Sequence, residues 1–233
     1  MGRSAGNLNV KLAQQIPLFS GLEPEQLEHV NQLIRVRRYH DREVVVREGD
    51  GGGALFVVLS GYTKAVTSGA GGQELLLSIM GPNEVFGELS LLDGQPRSAS
   101  VIAVESAELA TLEREPFERM LEGTPRLAIQ LLGVLSQRVR SLSKRYENVA
   151  SMDVRSRLAE VLVVLADKHG KSVDAGIQIP VKLSQQDLGS MIGTSRESVN
   201  KVLSDWIRGG VLSHVAGRVT IADLRALRSM IAY

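Results

Sequence analysis

The residues best equipped for chemistry lie in Val85–Val101, which reads Val-Phe-Gly-Glu-Leu-Ser-Leu-Leu-Asp-Gly-Gln-Pro-Arg-Ser-Ala-Ser-Val. Gly87 lets the backbone approach a ligand closely. Glu88 to Leu92 can form one helical turn, placing Leu89 and Ser90 beside Glu88 with free N–H groups toward an anion. Arg97 supplies a fixed cation for a phosphate, with the Ser98 hydroxyl and Ala99 next to it. An ionised Glu88, acceptor only, suits a pair of ribose hydroxyls. Together these types fit a sugar phosphate. On residue types alone, an ordinary strand–turn–strand with a structural Glu–Arg ion pair fits equally well.

A second constellation runs from Leu183 to Trp206. Ser184 with Asp187, and Thr194 with Glu197, each have the Ser/Thr-x-x-acid form of a capped helix start, ten residues apart. Gly189 lets a second helix cross close to the first, and Gly193 suits a sharp left-handed turn between them. Val199, Val202, Leu203 and Trp206 make the inward face of the second helix. Arg196, Glu197, Asn200, Lys201 and Ser204 remain outward. Arg and Lys donate to guanine, Asn pairs adenine, Glu accepts from cytosine, and serine hydroxyls grip phosphate. With Ser184 and Ser195, these are the candidate DNA-contacting residues. The alternative is a plain helical hairpin with a solvated face.

Both constellations need elements to hold them. Pro125–Met152 carries apolar residues at Ala128, Leu132, Leu135, Val139, Leu142, Tyr146 and Val149, spaced four, three, four, three, four and three. That narrow heptad seam reads as a parallel dimerisation helix, with Leu132, Leu135, Val139, Leu142, Tyr146 and Val149 as the interface. An ordinary core helix with coincidental spacing is the alternative. Upstream, a capped helix is expected to open at Ser20 with Leu22, Leu27, Val30, Leu33 and Ile34 inward. Short strands follow at 43–47, 54–60, 62–67, 74–80, 99–104 and 108–112, separated by glycine turns such as Ser68–Gly72. Residues 115–121 read as a short helix. Downstream come a helix over 155–168, a loop at 170–176, an extended piece over 177–183, the two short helices, a hairpin over 211–221 and a last helix from Asp223.

Composition removes several chemistries. There is no cysteine, which excludes disulfides, thiolate metal sites and cysteine nucleophiles. His29, His40, His169 and His214 are far apart, so no metal site is expected. The net charge of +1 hides an asymmetry. From Ser151 onward, eleven Lys or Arg face eight Asp or Glu, leaving +3, against −2 for the rest. No apolar run approaches a membrane span, and no signal peptide is read at the N-terminus, so a cytoplasmic protein is expected. Met1-Gly2 lacks the Ser or Thr that myristoylation wants, because Gly6 stands there. The residues before Leu8 read only as a tail.

The Phe-Gly-Glu-Leu-Ser-Leu-Leu…Arg-Ser-Ala-Ser string resembles the phosphate-binding cassette of cyclic-nucleotide-binding domains. Ser-Arg-Glu-Ser-Val-Asn-Lys is similar to the recognition helix of the Crp/Fnr family of bacterial transcription regulators. The resemblance covers essentially the whole chain. It implies an α+β architecture: an N-terminal double-stranded β-roll (jelly-roll) sensor at 8–122, a dimerisation helix at 125–152, and a C-terminal winged helix-turn-helix at 153–233. It further implies a homodimer on a palindromic, TGTGA-like DNA site, controlled by a cyclic nucleotide, with cyclic AMP first among the choices, and meeting RNA polymerase. Glu88 takes the ribose 2′-hydroxyl, Arg97 and Ser98 the cyclic phosphate, and Gly87 and Ala99 line the pocket. In cyclic-AMP receptors of the family a Thr followed by Ser or Asn meets the base; here Leu142 and Ser143 stand in those places. Arg196 and Glu197 match the main base readers, while Lys201 replaces an Arg and cannot form its bidentate fork. No enzymatic activity is expected, since a cupin-type enzyme needs clustered histidines. Two other readings share the fold: a regulator that binds DNA without a nucleotide or answers another effector, and a nucleotide-binding subunit that acts on a protein.

Overall fold

The computed structural model describes residues 13–69, 72 and 74–231. The expected tail, the start of the sensor at residue 8 and the centre of the 68–72 glycine turn lie outside the described residues. Contacts divide the chain into two compact units. One extends to Arg140 apart from residues 68–76, which group with the second, from Ser141 on.

In the first unit, α1 (Pro24–Leu33) precedes eight strands: β1 (Arg35–Tyr39), β2 (Val44–Val46), β3 (Ala54–Ser60), β4 (Thr63–Ser68), β5 (Glu74–Met80), β6 (Val85–Phe86), β7 (Ser100–Ala103) and β8 (Ala107–Glu113). A short α2 (Glu88–Asp93) interrupts them after β6, and α3 (Arg114–Gly123) leads into α4 (Pro125–Ser151). The strands form two antiparallel four-stranded sheets, ordered β1-β8-β3-β6 and β2-β7-β4-β5. This is the expected roll. Strands β1 and β6 were not expected: β1 alternates Arg and apolar residues too polar to stand out, and β6 is only two residues long.

Side chains of β3 leave alternately to opposite faces. Leu55 and Val57 join a core with Phe19, Leu27, Val30, Phe117 and Met120. Ala54, Phe56 and Val58 join Ala65, Phe86, Val101 and Leu109 between the sheets. Both faces of β3 are covered, which is why the strand is a continuous apolar run.

Two sequence expectations change here. The helix expected from Ser20 starts at Pro24 with Glu23 as its cap, and the Ser20 hydroxyl donates to Pro17 O (3.0 Å) instead. Proline is pre-set for a first helical turn, which moves the start to it. The long helix is also not restricted to one seam. Leu127 and Leu131, one position from the seam, are buried in the first core, with Val134 packed against it. The seam itself stays open: Leu132, Val139, Leu142, Tyr146 and Val149 are all more than half exposed, and Leu135 is half-buried.

The second unit follows α5 (Val154–His169) with β9 (Lys171–Val173), β10 (Gly176–Gln178), α6 (Gln185–Ile192), α7 (Arg196–Arg208), β11 (Leu212–Val215), β12 (Arg218–Ile221) and α8 (Leu224–Ser229). Asp153 caps α5 by accepting from Ser156 N (2.7 Å). Residues 170–176, expected as a loop, include β9, which pairs with β10. The resulting sheet is ordered β11-β12-β10-β9, so the wing has four strands rather than two. Asp174-Ala175 makes the turn between β9 and β10, and Gly176 after it takes a φ of 125°, which glycine allows freely. Trp206, Leu203, Val199, Leu188, Leu162 and Leu158 are buried at the centre of this unit.

Candidate functional site

The cassette forms where β6, α2 and the Pro96-Arg97 turn meet the glycine-rich loop before β3. Gly87 stands between β6 and α2 at a φ of 86°. A Cβ there would lie 2.6 Å from Arg97 Nη1 and 2.9 Å from Ala54 O, so both conformation and space demand glycine. Arg97, only 6% exposed, donates from Nη1 to Gly87 O (2.8 Å) and from Nη2 to Ala54 O (2.8 Å). Its guanidinium lies over Phe56 (5.6 Å), which stacks on Phe86 (centroids 5.0 Å apart). Backbone bonds tie the turn to the loop: Arg97 N donates to Asp50 O (2.8 Å) and Gly49 N to Arg97 O (2.9 Å).

Glu88, 1% exposed, ion-pairs with Arg138 of α4, which also donates to Val85 O. Burial lowers the Arg97 pKa; the Glu88 carboxylate opposes this, and Arg114 adds to it. Arg138 thus pairs with the buried carboxylate directly, and Arg97 interacts with it through charge. Two buried atoms of Glu88 and Arg97 find no partner among the described residues: Glu88 Oε2, an acceptor, and Arg97 Nε, a donor. An unpaired buried polar atom costs on the order of 1–3 kcal/mol, so the arrangement favours something that satisfies both. The cradle suits a small molecule with hydroxyl and anionic groups, such as a sugar phosphate.

The other expected cassette residues divide. Ser98 is exposed and Ala99 half-buried beside Arg97, while Leu89 is exposed on α2. Ser90 is buried against Gly52, where an added Cβ would sit 2.0 Å from Ser90 Cβ. Leu142 and Ser143 are exposed on α4, in the second unit. Arg138 went unnoticed in the sequence, where it is one of several basic residues between seam positions; only tertiary packing singles it out.

The helix pair of the second unit forms at Gln185–Ile192 and Arg196–Arg208. Ser184 caps α6, accepting from Asp187 N (3.0 Å) while Asp187 accepts from Ser184 N (2.9 Å). The second cap differs: Ser195, not Thr194, precedes α7 and accepts from Ser198 N (3.2 Å). The Thr194–Glu197 box is therefore not made. Gly193 takes a φ of 67°, and Gly189 leaves room for Thr194 O, 2.8 Å from where a Cβ would be.

Val199, Leu203 and Trp206 face inward and Val202 is half-buried, while Ser195, Arg196, Glu197, Asn200 and Lys201 are exposed together on the outer face of α7. Hydrogen bonds from its own N–H and from Ser195 keep the Glu197 carboxyl below its ordinary pKa, and so ionised. Gln185 donates to Asn200 Oδ1 (2.9 Å), orienting the amide. An open concavity of about 480 Å³ is lined by Ser184, Gln185, Gln186, Arg196 and His214. His214 Nε2 lies 3.2 Å from Leu183 O. Its place beside the helix pair was not readable in the sequence, since thirty residues separate it from Ser184. The exposed row of Arg, Glu, Asn and Lys on a capped second helix has the chemistry of a major-groove reader.

Known proteins agree with both units. Residues 36–124 match the cyclic nucleotide-binding domain family, and residues 156–230 match the Crp-like helix-turn-helix domain family. The chain is 33% identical to the cyclic AMP receptor protein of Thermus thermophilus over 92% of its length and 96% of that relative's. It is 30% identical to the CRP-like cAMP-activated global transcriptional regulator of Mycobacterium tuberculosis, over 90% of this chain and 94% of the relative. Among solved structures, the c-di-GMP responsive global regulator of Xanthomonas campestris superposes with a TM-score of 0.73 at 26% identity, covering 85% of this chain and 99% of that one. The cassette around Glu88 and Arg97, the helix pair with its exposed α7 face, and relatives matched nearly end to end place this chain in the Crp/Fnr family of DNA-binding transcription regulators.

Proposed function

We propose that the chain is an effector-dependent regulator whose effector is a cyclic nucleotide bound at Gly87, Glu88, Arg97, Ser98 and Ala99. The observation that carries this is the complementary pair of unpartnered buried atoms, the Glu88 Oε2 acceptor and the Arg97 Nε donor. A ribose 2′-hydroxyl donates to the first and a cyclic phosphate accepts from the second. Leu89 and Ser90 shape the α2 wall. Leu142 and Ser143 are the residues left for the base, and Leu142 offers it no hydrogen bond.

Arg138 links the cassette to α4, whose exposed apolar seam fits a second copy of the chain in a homodimer. Two α7 helices on one dimer read a palindromic, TGTGA-like site through Arg196, Glu197, Asn200 and Lys201, with Ser184 and Ser195 on phosphates. The effector acts by shifting population toward the state that binds DNA. RNA polymerase is the expected further partner and the cytoplasm the expected location; no helix among the described residues is long and apolar enough to cross a membrane.

A second reading, a regulator that binds DNA without a nucleotide, draws on Arg138. That guanidinium already neutralises Glu88, and both Arg97 Nη groups are satisfied by carbonyls. Isothermal titration with cyclic AMP, cyclic GMP and cyclic di-GMP, on the wild type and Arg97→Ala, separates the two. Binding at about 10 µM or tighter by one ligand, abolished by the substitution, supports the effector. Absence of binding by all three, with a retained shift of a TGTGA-type duplex, supports the second reading.

A further inference from the structure

The cassette's most heavily used cation is not one of those facing the ligand site. Arg114 follows β8 directly and is about one-third exposed at its side chain. From Nη1 it donates to Leu91 O (3.0 Å), and from Nη2 to both Ser90 O (2.7 Å) and Gly52 O (2.7 Å). Its own N–H donates to Gly53 O (2.8 Å), and Glu118 accepts from Nη1 (3.2 Å) on the solvent side. One guanidinium thus joins two segments distant in sequence, the 49–53 loop and α2.

Both segments need that support. The helix α2 has six residues, too few to persist alone, and its last carbonyls have no partner within it. Arg114 satisfies two of them and places a cation at the C-terminal end, where the helix dipole favours one. The loop from Gly49 to Gly53 is glycine at four of five positions, so it has little side chain to pack and much entropy to lose. Arg97 holds it at both ends, through Asp50 O and Ala54 O, and Arg114 holds the stretch between them, through Gly52 O and Gly53 O. Gly52 lies so close to Ser90 that loop and helix must move together.

We propose that Arg114 is a positioning residue for the effector: by clamping α2 to the glycine-rich loop, it holds Glu88 and Arg97 in register for one ligand. This rests on the effector reading above. Arg114 touches no ligand itself. It sets the spacing between the group that reads the ribose hydroxyl and the group that reads the phosphate.

The test is isothermal titration of the full chain with cyclic AMP and with 2′-deoxy cyclic AMP, for the wild type, Arg114→Lys and Gly52→Ala, each also melted without ligand. Lysine keeps the charge but cannot fork to three carbonyls, and Gly52→Ala pushes the loop off Ser90 without altering any charge. The expected result is a loss of cyclic AMP affinity of about tenfold or more in both variants. The preference for the ribose over the deoxyribose ligand falls toward one, with cooperative melting retained. Variants that keep wild-type affinity and preference, or that lose melting temperature with the preference unchanged, overturn the role of Arg114 alone. A wild type that binds neither nucleotide overturns cyclic AMP as the effector, and this proposal with it.

Discussion

The chain uses an Arg and a Glu twice, in opposite ways. In the first unit Arg97 and Glu88 are 6% and 1% exposed and tied to backbone carbonyls and to Arg138. In the second, Arg196 and Glu197 are neighbours on the exposed outer face of α7. A buried charge must be held by surrounding dipoles, so the first pair belongs to the fold as much as to any ligand. An exposed charge costs folding little and is free to meet phosphates and base edges. Under the proposed function the first pair therefore couples binding to stability, whereas the α7 pair separates them.

That contrast can be broken first at Arg97. Replacing it with alanine leaves Gly87 O and Ala54 O without their donor and is expected to lower unfolding free energy by about 2–4 kcal/mol in urea titrations, besides abolishing effector binding. A stability change below about 0.5 kcal/mol would mean the buried cation is not structural. Gly87→Ala removes no charge, yet forces a side chain to a φ of 86° against Arg97 and Ala54. A cost of about 1–3 kcal/mol, with weakened effector binding, is expected from the same denaturation and titration measurements.

Arg196→Ala should behave in the reverse sense. DNA affinity falls by about 1–3 kcal/mol in a salt-controlled mobility shift, while thermal stability moves by less than about 0.5 kcal/mol. An equal effect on folding would erase the distinction between the two pairs.

Two smaller tests use pH at the start of the second unit. Hydrogen bonds from Ser156 lower the Asp153 pKa, so its contribution is present above the ordinary carboxylate range and lost as pH falls through the lowered folded value, below about pH 4. Asp153→Ala should cost about 1 kcal/mol at pH 7, and its difference from wild type should shrink on acidification. Glu160 shifts the other way. Burial raises its pKa, against Lys144 and with Glu147, and Asn148 of α4 donates to it. The folded state holds that proton longer, so stability declines as pH rises from the ordinary carboxylate range through the raised value. Glu160→Gln should flatten this limb of the melting profile; an unchanged limb would assign the decline to another group.

Local chemistry was legible in the sequence wherever a property belongs to neighbouring residues. The six expected strands fall on β2, β3, β4, β5, β7 and β8, because apolar runs between glycine turns can bury themselves only as a layered sheet. The Ser184–Asp187 box and the left-handed Gly193 likewise follow from residue type and spacing. So does the outward row on α7, which helical periodicity alone separates from Val199, Leu203 and Trp206. Its spacing to Glu197 points to Thr194 as the second cap, but the adjacent Ser195 is an equally good cap by type, and the turn geometry selects it.

What the tertiary structure decided are the properties that depend on partners distant in the chain. Glu88 meets Arg138 fifty residues on, Arg97 meets Ala54 forty-three residues back, and Arg114 joins Gly52 to Ser90 across sixty-two and twenty-four. The two flanks of α4 also part only through packing: Leu127 and Leu131 enter the core, while Leu132 and Val139 stay open. Periodicity gives a helix its faces, but which face is covered depends on what the rest of the chain brings against it. For the same reason the types of the cassette residues could be read in order along the chain, and which of their atoms are already satisfied could not.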